Sequence, residues 1–216
     1  MALPRKLTAT ETVPISRGLA GLDRAPPAWV LVTAGLCPLL LVGGWLAAGA
    51  VQPGYSPVRE TVSALAGQAG THPWIVTGAL FAVGGCYLAT AAGLAGLRIP
   101  ARVLLAVAGL SSIGIAASPE PVTGSTPQHL AWTVLGAATI TVWPAFTVRR
   151  GPGQPAILSA GCVAAVTVVF AALLGWLLVE TRDGSLLGLS ERVMSAAATT
   201  WPFVVARAVR QGEPTR

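Results

Sequence analysis

The side chains of this chain that could do chemistry fall in three short stretches: Tyr55, Arg59, Glu60 and Ser63; Glu120 and His129; Glu191 and Arg192. Ser63, His129 and Glu120 have the residue types of acyl transfer, namely a nucleophile, a general base and a carboxylate that orients the base. An imidazole also serves as proton carrier, metal ligand or pH sensor, because it titrates near neutrality. Arg59 and Arg192 suit a different task, since a guanidinium fork matches phosphate or carboxylate oxygens in charge and shape. The catalytic candidates are therefore His129, Glu120 and Ser63. The ligand-binding candidates are Tyr55, Arg59, Glu60, Ser63, His129, Glu191 and Arg192. Each also has a plain structural use: His129 can close its own loop, and Arg192 can pair with the carboxylate of Glu60 or Glu120, as Arg59 can with Glu191.

Apolar elements must position these groups. The chain is 53% hydrophobic and only 10% charged, with a mean hydropathy of +0.68, far from the roughly 25% charged fraction of soluble domains. This composition marks an integral membrane protein. The pI of about 10.3 does not point to nucleic acid, because the basic residues stand in ones and twos at the ends of apolar runs, without a stripe or interleaved aromatics. A spanning helix needs about 20 apolar residues to cross about 30 Å of hydrocarbon. Six runs are expected to do so: Ala28 to Val51, Trp74 to Leu97, Ala101 to Ala117, His129 to Val148, Pro155 to Val179 and Ser190 to Ala206. The fold class is all-α, a polytopic bundle of six transmembrane helices.

Basic residues orient the bundle, since cytoplasmic loops retain Lys and Arg. With the N-terminus inside, the cytoplasmic segments hold 11 of the 14 Lys and Arg residues, leaving only Arg59, Arg182 and Arg192 outside. Both termini are expected in the cytoplasm and the protein in the plasma (inner) membrane. Residues 1–27 read as a flexible cytoplasmic tail, 28–208 as the membrane domain and 209–216 as a second cytoplasmic tail. The first apolar run follows too long a polar stretch for a cleaved signal peptide and is expected to remain as an anchor.

Cys37, Cys86 and Cys162 all fall in expected spans, where free thiols act as small apolar side chains, so no disulfide framework is expected. Two histidines without a Cys-x-x-Cys pair argue against a closed zinc site, and no motif for a cofactor is present. Small residues four apart, such as Gly85 with Ala89, Ser112 with Ala116, Gly161 with Ala165 and Ser195 with Thr199, suit close helix packing. No Asp, Glu, Lys, Arg or His lies mid-span, which argues against a proton pump or ion channel.

The outer loops carry the local signals. Ser56 suits an N-cap, Pro57 a first helical position and Gly67 a stop, so a short interfacial helix of about three turns is expected between them. Val58, Val62 and Leu65 would share its apolar face, and Arg59 and Ser63 another. Three prolines and a glycine over Ser118 to Gln128 define a turn leading to His129. Ser190 is expected to cap the last helix, with Glu191 beside its positive end.

Taken in order, Tyr55-Ser56-Pro57-x-x-Glu60-Thr61-x-Ser63-x-Leu65, the Pro-rich turn before His129, and Gly188-Leu189-x-Glu191-Arg192 before Trp201 resemble the bacterial six-helix membrane proteins catalogued as domain of unknown function 998. The resemblance covers roughly Ala28 to Arg210. It implies the same six-helix fold and a distant similarity to Frag/DRAM-type membrane proteins, and it implies no established chemistry. Many members carry an Asp in the turn before the histidine, where this chain has Glu120.

Three functions fit the residues. The first is an outer-face polar pocket that binds a lipid head group or small amphiphile, with Arg59 and Arg192 on the anionic group and Ser63 and His129 as hydrogen-bonding partners. The second is a membrane-embedded hydrolase or transferase using Ser63, His129 and Glu120. The third is a facilitative transporter for a small neutral solute, lined by hydroxyls and glycines. The enzyme needs Ser63 within hydrogen-bond reach of His129, the transporter needs a continuous cavity through the bundle, and any site needs Arg59, Ser63, Glu120, His129, Glu191 and Arg192 to converge on one cavity.

Overall fold

A computed structural model of the chain describes residues 25–151 and 153–212. Most of the expected N-terminal tail, up to residue 24, and residues 213–216 of the expected C-terminal tail lie outside the described residues. The elements are α1 (Ala28–Val51), α2 (Val62–Ala66), α3 (Pro73–Gly93), α4 (Ile99–Ala117), α5 (Pro127–Val142), α6 (Ala160–Asp183) and α7 (Leu187–Gln211). A 3-10 turn, Trp143–Thr147, continues α5, and another, Ala156–Leu158, precedes α6. There is no strand among the described residues.

Local chemistry sets most boundaries. Prolines open α3, α4 and α5 in the first turn, where a missing amide hydrogen costs nothing. Hydroxyls of Thr126 and Ser159 cap α5 and α6 by accepting from the His129 and Cys162 amides. Gly184, at φ 71°, ends α6 in the left-handed region that only glycine enters freely.

α1 packs on α3 and α7, and α3 to α7 each pack on the next, so the six long helices close a ring in chain order. The small α2 lies against α1, α3 and α7. Outside the ring, large apolar side chains such as Leu39, Trp74, Ile99, Val134 and Val168 are exposed, as lipid-facing residues are. Five helices are long and apolar enough to cross a membrane: α1, α3, α4, α5 with its 3-10 extension, and α6. α7 has the length, at 25 residues, and includes Glu191, Arg192, Arg207 and Arg210.

Three expectations are corrected. The first-loop helix begins at Val62 with Thr61 as its cap, not at Ser56, because the backbone before it is bonded elsewhere. The Pro57 and Glu60 carbonyls accept from Arg192, and the Val58 carbonyl accepts from the Leu189 amide. Val58 is exposed as a result, while Val62 and Leu65 are buried. The last helix starts at Leu187 and runs to Gln211. Ser190 is thus buried within the first turn, donating to the Leu187 carbonyl, and it is the Glu180 carboxylate that receives the Leu186 amide at 2.8 Å.

Of the small-residue pairs, Ser112 and Ala116 are buried as expected, with the Ser112 hydroxyl donating to the Leu80 carbonyl of α3 at 2.8 Å, and Thr199 is buried too, but the glycine pairs are not where the helices meet. Gly85 and Gly161 face open space, whereas Gly84 and Gly109 bring α3 and α4 together. A Cβ on Gly84 would stand 2.7 Å from the Gly109 carbonyl oxygen and 2.6 Å from Ile113. Overpacking of this kind costs about 1–3 kcal/mol. Gly84→Ala is therefore expected to lower the thermal unfolding midpoint of the purified protein, and Gly85→Ala to leave it unchanged; equal effects would contradict the packing.

Candidate functional site

His129 sits in the first turn of α5, and its position is set from both sides. Its amide donates to the Thr126 hydroxyl at 3.1 Å, and its Nδ1 lies 2.8 Å from the carbonyl of Ser118, the residue that caps the end of α4. A carbonyl can only accept, so the hydrogen-bond network assigns the proton of the neutral ring to Nδ1 and leaves a lone pair on Nε2. Nε2 faces two groups: the Ser63 hydroxyl at 3.3 Å, which donates to the lone pair of the neutral ring, and the Glu120 carboxylate at 3.5 Å, which only accepts and pairs with the ring when Nε2 carries a proton. His129 is 3% exposed. Its contact with Glu120 becomes an ion pair when the ring is protonated.

Ser63 is delivered by α2. The Thr61 hydroxyl accepts from the Ala64 amide at 3.0 Å, and the Glu191 carboxylate of α7 accepts from the Val62 amide at 2.7 Å. The second loop docks on the end of α2, with the Gln68 amide donating to the Glu120 carbonyl at 2.8 Å. Gly67 is pressed against Glu120, where a Cβ would lie 3.0 Å from its carbonyl oxygen.

Beside this cluster, Arg192 locks the first loop. Its Nη1 donates to the carbonyls of Pro57, Glu60 and Gly188, each at 2.8 Å, and its Nη2 donates to the Tyr55 hydroxyl. The guanidinium also lies 5.9 Å from the centre of the Trp45 ring and 5.4 Å from that of Tyr55, within cation–π range. Tyr55 donates in turn to the Thr61 carbonyl at 2.8 Å. Burial pushes its phenol up from the ordinary value, against the opposing pull of Arg192, which keeps the O–H available to donate. Gly188 leaves room for this lock, because a Cβ there would meet the Glu60 and Pro57 carbonyl oxygens.

Behind Ser63 a cavity of about 170 Å³ occupies the centre of the ring, with walls from α2 and all six long helices. The lining is mainly apolar, including Trp45, Val83, Ile140 and Met194, and Ser63 and Glu191 are among its polar groups. Thr133, one turn beyond His129 on α5, also lines it, and its buried hydroxyl has no hydrogen-bond partner.

Of the sequence candidates, Ser63, Glu120 and His129 meet at one point, and Glu191 reaches the same end of the cavity. Tyr55 and Arg192 form the adjoining lock, and Glu60 joins it through its backbone carbonyl. The expected carboxylate partners of the arginines are not the ones found. Glu60 uses its carboxylate on the Ser56 amide at 2.7 Å, Glu191 takes the Val62 amide, and Arg59 stands exposed on the loop. Thr61, Ser118, Trp45 and Thr133 escaped sequence reasoning. Only Thr61 carried a usable signal, a hydroxyl residue directly before the apolar Val62.

A family model described as "Protein of unknown function (DUF998)" matches residues 35–208. No curated protein and no solved structure matches the chain. The chain belongs to that family, and its apolar helices make it an integral, multi-pass membrane protein.

Proposed function

We propose that this member of the family is a membrane-embedded acyl hydrolase or transferase of the outer leaflet, with Ser63 as nucleophile and His129 as general base. One observation carries the reading: Ser63 Oγ lies 3.3 Å from His129 Nε2 while Nδ1 is bonded to the Ser118 carbonyl. In this reading α7 crosses as a sixth span, so both termini lie on the cytoplasmic side of the plasma membrane and the three active loops on the opposite face.

His129 takes the Ser63 proton as Oγ attacks the acyl carbonyl. As the bond to the leaving alcohol breaks, the imidazolium returns the proton to that alcohol, leaving an acyl-Ser63. Water or a second alcohol then attacks the acyl group, His129 again holding and returning the proton. Glu120, 3.5 Å from Nε2, favours the imidazolium that forms in each step. A head-group site built on Arg59 and Arg192 has less support, since the Arg192 guanidinium is bonded to loop carbonyls and Arg59 is exposed on the loop.

A fluorophosphonate probe, which reacts with activated serines, tests the assignment. Labelling of the purified protein at Ser63, abolished in a folded Ser63→Ala variant, is expected. An unlabelled wild type, or a Ser63→Ala variant labelled as strongly, would overturn the assignment.

A further inference from the structure

We propose that the substrate is an uncharged single-chain acyl ester whose hydrocarbon chain fills the cavity at the centre of the helix ring. The inference rests on the acyl-transfer reading and concerns what Ser63 acts on. Ser63 opens onto the outer end of the cavity, and Val83, Tyr87, Ile140 and Met194 line the space behind it. Along α7 the lining runs from Glu191 to Thr199, a depth of about 12 Å at the helical rise of 1.5 Å per residue. That depth matches a chain lying within one leaflet, half of the roughly 30 Å hydrocarbon core.

Volume limits the number of chains. At about 170 Å³ the cavity is smaller than the roughly 300–1,000 Å³ of pockets that enclose a whole drug-sized ligand. It suits one chain with its head outside, not the paired chains of a diacyl lipid.

Charge limits the head. The ionisable acids beside Ser63 are Glu120, which reaches the same His129 nitrogen, and Glu191, which lines the cavity. The nearby cation, Arg192, is bonded to the Pro57, Glu60 and Gly188 carbonyls and to Tyr55. A phosphate head at Ser63 would therefore meet the Glu120 carboxylate and the buried Glu191 with the Arg192 guanidinium already bonded to the loop, an arrangement that costs binding. A neutral ester carbonyl has a donor instead, the Thr133 hydroxyl that lines the cavity with no partner.

The test combines fluorophosphonate labelling of Ser63 with protection by two amphiphiles of equal chain length, a monoacylglycerol and a lysophosphatidic acid, and with turnover of p-nitrophenyl esters from acetyl to palmitoyl. Expected are protection by the monoacylglycerol alone and faster turnover of medium-chain than acetyl esters. Ala137→Leu, which narrows the cavity wall on α5, is expected to lower the ratio of medium-chain to acetyl-ester turnover about tenfold or more; an unchanged ratio would overturn the chain's place in the cavity. Equal protection by both amphiphiles, or turnover independent of chain length in the wild type, would overturn the substrate class and leave Ser63 as nucleophile. Absence of labelling would overturn the underlying reading itself.

Discussion

Arg192→Ala is expected to destabilise the protein by about 3–5 kcal/mol, the range for removing one partner from a buried charged cluster. The size follows from what the guanidinium satisfies. Three carbonyls, from Pro57, Glu60 and Gly188, point at one nitrogen, and they stay there after the side chain is gone. A buried acceptor left unsatisfied costs about 1–3 kcal/mol, the Glu60 carbonyl keeping the Tyr55 hydroxyl at 3.1 Å, and the Trp45 and Tyr55 rings lose the cation packed on them. Arg192→Lys keeps the charge but not the planar fork, so it is expected to recover only part of the loss. Tyr55→Phe, which removes one hydroxyl, is expected to cost about 1 kcal/mol. Thermal unfolding in detergent, followed by tryptophan fluorescence, orders the three variants. An Arg192→Ala midpoint equal to that of wild type would mean that the loop is held by other contacts.

This lock also shows which parts of the structure were legible in the residues. α1 lies where its apolar run lies, Ala28–Val51, because a long hydrophobic stretch in a membrane has little choice but to be a helix. That Ser63, Glu120 and His129 share one end of the bundle was legible too, since alternating spans bring the first and second of their loops to the same side, but their contact was not. The first-loop helix was misjudged for a physical reason. Ser56, Pro57 and Gly67 are sound local signals, but the Pro57 and Glu60 carbonyls are bonded by a side chain more than 130 positions away. Local propensity cannot register such a competitor. Ser112 and Ala116 are buried as expected, with Ser112 bonded to α3, but Gly85 faces open space, for which of Gly84 and Gly85 meets another helix depends on rotation about the α3 axis. Ser118 escaped because it contributes a backbone carbonyl, which every residue has.

That carbonyl leads to the largest expected effect on the proposed chemistry. His129→Gln is expected to slow fluorophosphonate labelling of Ser63 about 10²–10⁴-fold, the contribution usual for a positioned general base. A glutamine can still bond to Ser118 or Ser63, so the fold should survive while the proton acceptor is lost, and an unchanged unfolding midpoint would confirm that. Glu120→Gln is expected to act differently. In a serine triad the acid holds Nδ1 and fixes the tautomer, but here the Ser118 carbonyl does so at 2.8 Å, and Glu120 lies on the Nε2 side with Ser63. Removing its charge weakens the stabilisation of the imidazolium without misorienting the ring, so labelling should fall by about tenfold or less, the scale of one exposed-side charge contact worth about 1.4 kcal/mol. If Glu120→Gln proved as damaging as His129→Gln, the carboxylate and not the Ser118 carbonyl would be the group that orients the base. If both were harmless, His129 would be a loop anchor, and the hydrogen bond to Ser63 would join the first and second loops without activating the serine.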